Sequence, residues 1–124
     1  ITSDTILVGH SCGGGFLVRY LSEHKDLKVG KVVLVAPWTN PLKYEISDTA
    51  DFFEFEIDSD FPTRTAGVSV FISSDDEPSV IKTVDMLKET VKDIEYREYT
   101  DKGHFCTEDI GGIEFPELLK EVLS

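Results

Sequence analysis

The pentapeptide GHSCG at residues 9–13 constrains this chain more than any other feature. It follows the apolar run 6–8 and precedes the apolar-rich segment 16–21, so a strand, a sharp turn and a helix are predicted in that order. A serine on such a turn is held in strained geometry with its hydroxyl exposed, and flanking glycines let the backbone pass without clash. The pattern therefore predicts that Ser11 is a nucleophile.

A serine hydroxyl needs a general base within hydrogen-bond reach, and that base needs an acid to orient it. Both residue types follow Ser11 in the sequence. Asp75 and Asp76 come directly after one strand-like run, and His104 lies in a glycine-containing turn after another. Either carboxylate could orient the histidine, and either could also cap the helix that follows, because acids favour helix N-termini. The residues alone do not separate Asp75 from Asp76.

Four short motifs carry a resemblance to a known family. They are GHSCG at 9–13, VVLVA at 32–36, SSDD at 73–76 and GHF at 103–105. In these motifs, and in the order Ser, Asp, His, the chain resembles the small single-domain serine hydrolases of the retinoblastoma-binding hydrolase type. Those are compact α/β-hydrolases without a large lid, and the similarity covers nearly all of the chain.

The resemblance implies a set of roles. Ser11 would be the nucleophile, His104 the base and Asp76 the orienting acid, because the family's acid is usually the second of such a pair. The backbone N–H of Cys12 would be one oxyanion donor. The implied reaction is hydrolysis of an ester, thioester or amide bond of a small acyl substrate through an acyl-enzyme, with no cofactor.

The chain departs from the family before the strand that leads to Ser11. The family has several strands there, and an early glycine-rich loop that supplies a second oxyanion donor; neither has a counterpart here. The chain is therefore expected to be a single domain over 1–124 that corresponds to the C-terminal portion of such a hydrolase. The outer edge of its first strand is expected to lack a partner strand within this chain. A second copy, another chain or another segment is therefore expected to cover it. The alternative function is a non-catalytic binding module on the same scaffold.

The predicted fold is α/β, with a mostly parallel sheet flanked by helices. Strands are predicted at 5–8, 31–36, 68–72 and 94–99; the first three are continuous apolar runs typical of strands buried on both faces, and the fourth alternates like an edge strand. Three helical stripes are predicted from apolar residues at helical spacing: Phe16, Leu17, Tyr20 and Leu21; Val80, Val84, Leu87 and Val91; Phe115, Leu118, Leu119 and Val122.

Residues 37–66 form the least regular stretch, and two interpretations of their aromatic residues remain open. A crossover between parallel strands normally contains a helix, whose aromatics would pack on the sheet. The other interpretation is a flap that faces the substrate. The aromatic residues concerned are Trp38, Phe52, Phe53 and Phe55. The crossover interpretation is favoured, because aromatic side chains lie in cores more often than they contact ligands.

Composition excludes several classes of partner. The net charge is −12, from 24 acidic and 12 basic residues, which disfavours nucleic acid and anionic membranes. No apolar stretch reaches 18 residues, no leader peptide is visible, and no G-x-G-x-x-G or G-K-[ST] motif follows the first strand. No dinucleotide site is therefore expected. Because two cysteines do not make a disulfide framework, a cytoplasmic protein is expected.

The remaining polar residues are given structural interpretations. Cys12 and Cys106 are expected to be small buried side chains, and a zinc site with His10 or His104 matches no ligand spacing. His10 is expected to pack under the turn and His24 to lie at a solvated helix end. The residues Glu114, Glu117 and Glu121 are expected to form a solvated face.

Overall fold

Four parallel strands form the centre of the structure, a computed structural model that describes residues 1–39 and 54–124. The strands lie side by side in chain order: β1 (Leu7–His10), β2 (Lys31–Val35), β3 (Gly67–Ser73) and β4 (Ile94–Tyr99). The predicted α/β fold with a parallel sheet is confirmed. Because the strands are parallel, their carboxyl ends meet at one edge of the sheet, where the segments carrying Ser11, Asp76 and His104 follow β1, β3 and β4.

Helices flank this sheet. The α-helices are α1 (Cys12–Glu23), α2 (Pro78–Thr90), the one-turn α3 (Thr107–Ile110) and α4 (Pro116–Leu123), and a 3-10 turn spans Phe61–Arg64. Within the two described segments, no helix has the length and apolar character needed to cross a bilayer.

The apolar core lies on both faces of β2 and β3, as their continuous apolar runs predicted. The same prediction is wrong for β1, since Val8 is 47% exposed and the preceding Ile6 is 43% exposed. Among the described residues β1 pairs with β2 alone, so one of its edges is open. An apolar run reports strand character but not the position of the strand in the sheet. The alternating β4 is half-buried, as an edge strand should be.

The predicted helical stripes are confirmed on α2 and displaced on α1. All four predicted apolar residues of α2 and its C-terminus are buried. On α1 the buried face is formed by Gly14, Leu17, Val18 and Leu21, whereas Phe16 is 42% exposed. The helix is rotated so that Gly14 faces the sheet, because a residue without a side chain allows this close approach. The N-cap residue of α4, Phe115, packs on the core together with Leu118 and Val122 of the helix, and Leu119 is exposed.

Glu121 does not belong to a solvated face, which corrects the sequence prediction. Its side chain is only 12% exposed, and its carboxylate accepts hydrogen bonds from the Ser69 hydroxyl and from Arg97 Nε at 3.2 Å. The hydrogen bond from Ser69, followed by that from Arg97, holds the pKa of Glu121 below its usual value. This carboxylate therefore fastens α4 to β3 and β4, while Glu114 and Glu117 are exposed.

Candidate active site

Ser11 lies in the turn between β1 and α1 with a strained backbone. Its φ is 57° and its ψ is −120°, a conformation that non-glycine residues rarely adopt. Main-chain hydrogen bonds hold it there: Ser11 N donates to Val35 O at 2.9 Å, and Ser11 O accepts from Trp38 N at 3.0 Å. The turn is thus fastened to the end of β2, which fixes the main chain of Ser11 and the direction of its Cα–Cβ bond.

The two glycines of the pentapeptide have different reasons to be there. A Cβ on Gly9 would lie 2.6 Å from the carbonyl oxygen of Gly13, which is backbone and cannot move aside. A Cβ on Gly13 would meet no atom within 4 Å. The prediction that both glycines relieve a clash is therefore right for Gly9 and wrong for Gly13.

We expect Gly9→Ala to destabilise the protein by about 1–3 kcal/mol, because the added methyl group must push β1 away from α1. Gly13→Ala is the matched control. It lies in the first turn of α1 with open space around it, and alanine favours helix by up to about 1 kcal/mol over glycine. Urea unfolding of both variants checks this, and equal midpoints for the two would contradict the steric account.

His104 joins Ser11 to Asp76 through both ring nitrogens. His104 Nδ1 lies 3.0 and 3.1 Å from the two carboxylate oxygens of Asp76, and His104 Nε2 lies 2.9 Å from Ser11 Oγ. Because a carboxylate only accepts, Nδ1 donates to Asp76, which leaves the Nε2 lone pair to accept the Ser11 hydroxyl proton. The imidazole is therefore held in the tautomer that can act as a base toward Ser11.

Asp76 and Asp75, which the residues alone do not distinguish as the partner of His104, make different contacts. The Asp76 side chain is fully buried against the imidazole, and its Oδ1 also accepts from Glu77 N at 2.6 Å. Asp75 instead accepts hydrogen bonds from the Ser73 hydroxyl and from Gly103 N at 2.9 Å. The Ser73 hydrogen bond is the main reason that the pKa of Asp75 lies below its usual value. Neither carboxylate is the N-cap of α2, a position taken by Glu77 without a side-chain hydrogen bond.

The loop that carries His104 is anchored by Phe105. Gly103 and Phe105 both have positive φ, 53° and 60°, so the chain turns sharply on either side of the histidine. The turn buries the Phe105 ring, whose exposure is 6%, between Tyr99 at the end of β4 and Phe115 at the start of α4. This aromatic anchor fixes where the histidine leaves the sheet.

The two cysteines lie near this site but are not buried, which corrects the sequence prediction. Cys12 is exposed and Cys106 is half-buried, and both are free thiols. Burial, followed by the nearby charges of Asp109 and Glu108, raises the pKa of the Cys106 thiol. Cys12 is the first residue of α1, so its N–H belongs to the helical turn whose amides lack acceptors within the helix. Residues 1–39 and 54–124 contain no cluster of three potential metal ligands.

The aromatic residues of the irregular stretch can be placed in part. Trp38 and Phe55 pack against the core as partly buried side chains, in line with the crossover interpretation for these two. Phe52 and Phe53 lie outside the described residues.

Some side chains that organise the site could not be found from sequence. His10 is exposed rather than packed under the turn, and its Nε2 lies 2.7 Å from the carbonyl oxygen of His104. Asp109 Oδ2 accepts from His104 N at 3.0 Å and from Cys106 N at 3.2 Å. All three contacts involve main-chain atoms of the histidine loop, and no residue pattern marks such partners in a single sequence.

Comparison with known proteins agrees with this architecture. Residues 3–70 match the model of the alpha/beta hydrolase fold family. A search of curated proteins finds no match. Among solved structures, the ydeN gene product of B. subtilis aligns with a TM-score of 0.74 at 21% identity, over 99% of this chain and 67% of its own.

Two esterases of known structure are also similar. Acetyl xylan esterase 1 from Thermoanaerobacterium sp. JW/SL YS485 aligns with a TM-score of 0.57 at 19% identity, over 94% of this chain and 44% of its own. Esterase B from Lactobacillus rhamnosis, in a tributyrin phosphonate structure, aligns with a TM-score of 0.54 at 15% identity, over 99% and 50%. The present chain thus spans between 44% and 67% of the length of these three proteins, and at these identities the likeness establishes the fold.

Proposed function

This chain belongs to the alpha/beta hydrolase family, and we propose that it is a serine hydrolase that cleaves ester, thioester or amide bonds through an acyl-enzyme on Ser11. The observation that carries the proposal is the continuous hydrogen-bonded line from the Ser11 hydroxyl through His104 to the buried Asp76 carboxylate. The family membership supports hydrolysis in general. The three side chains supply the nucleophile, base and orienting acid that acyl transfer needs.

In the first half of the proposed reaction, His104 Nε2 removes the proton from Ser11 Oγ as that oxygen attacks the acyl carbon. The imidazole becomes positively charged, and Asp76 stabilises the charge through its contact with Nδ1. His104 then returns the proton to the leaving alcohol, thiol or amine as its bond to the acyl carbon breaks. The acyl group remains on Ser11 as an ester.

In the second half, water replaces the leaving group. His104 Nε2 takes a proton from the water, the resulting oxygen attacks the acyl carbon, and the bond to Ser11 Oγ breaks as His104 returns the proton to the serine. The products are the free acid and the regenerated hydroxyl. Because His104 is 28% exposed while Asp76 is fully enclosed, water can reach the base without reaching the acid.

The Cys12 N–H is the proposed donor to the oxygen that becomes negative in both tetrahedral intermediates. It directly follows the nucleophile, and the N-terminus of a 12-residue helix carries a partial positive charge that favours an anion there. We further propose, on the strength of its four motifs, that the chain is of the small retinoblastoma-binding hydrolase type.

Pre-steady-state hydrolysis of p-nitrophenyl acetate tests the proposal. We expect a burst of p-nitrophenol, up to one equivalent per chain, followed by slower turnover, because formation of an acyl-enzyme releases the alcohol before water attacks. The experiment uses the protein at its full natural length. A rate of p-nitrophenol release no higher than that of buffer alone would contradict the proposed function and favour a binding module.

A further inference from the structure

Side chains from two different segments hold the main chain of His104 at both of its polar atoms. His10 Nε2 lies 2.7 Å from His104 O, and Asp109 Oδ2 lies 3.0 Å from His104 N. A carbonyl oxygen only accepts, so Nε2 of His10 carries the hydrogen and donates it. The backbone of the base is therefore fixed independently of the hydrogen bonds made by its own ring.

His10 belongs to a different segment of the chain from the other side chains that hold this loop. The amides of Lys102 and Gly103 donate to Ser73 and Asp75 at the end of β3, at 3.0 and 2.9 Å. Asp109 lies in α3, within the same stretch of chain as His104. His10 is adjacent in sequence to Ser11, so its hydrogen bond connects the turn that carries the nucleophile directly to the loop that carries the base.

This connection matters because the other direct link between the two segments is consumed in the reaction. The hydrogen bond from Ser11 Oγ to His104 Nε2 is lost when the serine is acylated, at the moment when the imidazole must stay in place to activate water. The hydrogen bond from His10 to the His104 carbonyl involves no reacting atom, so neither half of the proposed reaction breaks it. The two imidazole rings lie 5.0 Å apart, centroid to centroid, so a substitution at His10 lies directly beside the base.

We propose that His10 is a positioning residue that sets the distance between Ser11 Oγ and His104 Nε2 and preserves it in the acyl-enzyme. This inference rests on the proposed function of Ser11 and His104. His10 touches neither reacting atom and acts only through the main chain of the base. A displacement of about 1 Å between reacting groups can cost on the order of 100-fold in rate.

The test compares two replacements of His10. His10→Leu removes the donor, and His10→Gln keeps an N–H donor near the position of Nε2. With p-nitrophenyl acetate we expect His10→Leu to lower kcat by about 10- to 100-fold, while KM stays within about threefold. We expect His10→Gln to recover most of kcat. Recovery by the amide separates a donor to the carbonyl from any use of the imidazole as an acid or base.

His24→Leu is the matched control. His24 Nδ1 also makes a hydrogen bond to a main-chain carbonyl, that of Tyr20 at 2.8 Å, but at the far end of α1. Its replacement should leave kcat unchanged. A kcat for His10→Leu within twofold of wild type, or an equal loss in His10→Leu and His10→Gln, would overturn the proposal.

A second readout separates this proposal from the proposed function. Nitrogen-15 NMR of the imidazoles should show hydrogen on Nε2 of His10, and amide exchange at residues 102–104 should quicken in His10→Leu, whether or not the protein turns over substrate. If wild type is inactive but both signals appear, the hydrolase function fails and the hydrogen bond stands without a catalytic role. Hydrogen on Nδ1 alone would overturn the positioning proposal itself.

Discussion

Ser11→Ala is expected to reduce kcat/KM for p-nitrophenyl acetate by about 10⁴- to 10⁶-fold. The hydroxyl that this change removes lies 2.9 Å from the only ring nitrogen of His104 left to accept its proton. His104→Ala should cost a similar factor, because a serine without its base is a poor nucleophile. Steady-state kinetics measures both.

The double variant Ser11→Ala/His104→Ala supplies the sharper part of this prediction. If the two residues act as one unit, removing both should cost no more than removing either, whereas independent contributions would multiply. His24→Ala controls for the loss of a histidine elsewhere on the surface. A Ser11→Ala variant that retains a tenth of wild-type activity would remove Ser11 from the reaction.

Asp76→Asn is expected to lower kcat by on the order of 10⁴-fold with little change in folding stability. An amide can donate to His104 Nδ1 and so place the ring hydrogen on Nε2, where it prevents acceptance of the Ser11 proton. The amide also lacks the charge that stabilises the imidazolium. The isosteric replacement keeps the shape of a fully buried side chain, so the loss should fall on kcat rather than on the fold.

Asp75→Asn is the matched control, because it makes the same chemical change one residue earlier. Asp75 holds Ser73 and the Gly103 amide and does not contact the imidazole of His104, so we expect a loss of no more than about tenfold. kcat measured across both variants at pH 7 decides between the two carboxylates. Equal losses, or a larger loss in Asp75→Asn, would assign the orienting role to Asp75.

Local sequence patterns predicted most of the sheet but not the position of each strand in it. The alternating residues of β4 and the apolar spacing of α2 report burial directly, and both predictions hold. The exposure of Val8 depends on what lies beside β1, which is a tertiary property. The rotation of α1 toward Gly14 depends on its close approach to Pro37, 3.0 Å from the place where a Cβ would lie.

The candidate site shows the same division. Ser11 lies in a recognisable strand-turn-helix motif and His104 in a turn that follows a later strand, so the sequence predicts that the two meet. The residues alone do not distinguish Asp76 from Asp75, because the side chains of adjacent residues leave a turn in different directions and only the structure shows which one faces His104. His10 was expected beneath the turn, and its contact with the His104 carbonyl joins segments 94 residues apart.

Reaction with a fluorophosphonate, located by tandem mass spectrometry, tests the central claim that Ser11 is a serine activated by His104 and Asp76. We predict one adduct per chain, on Ser11, formed much more slowly in Asp76→Asn and absent in Ser11→Ala. An adduct on another residue, or labelling that persists unchanged in Ser11→Ala, would contradict the claim.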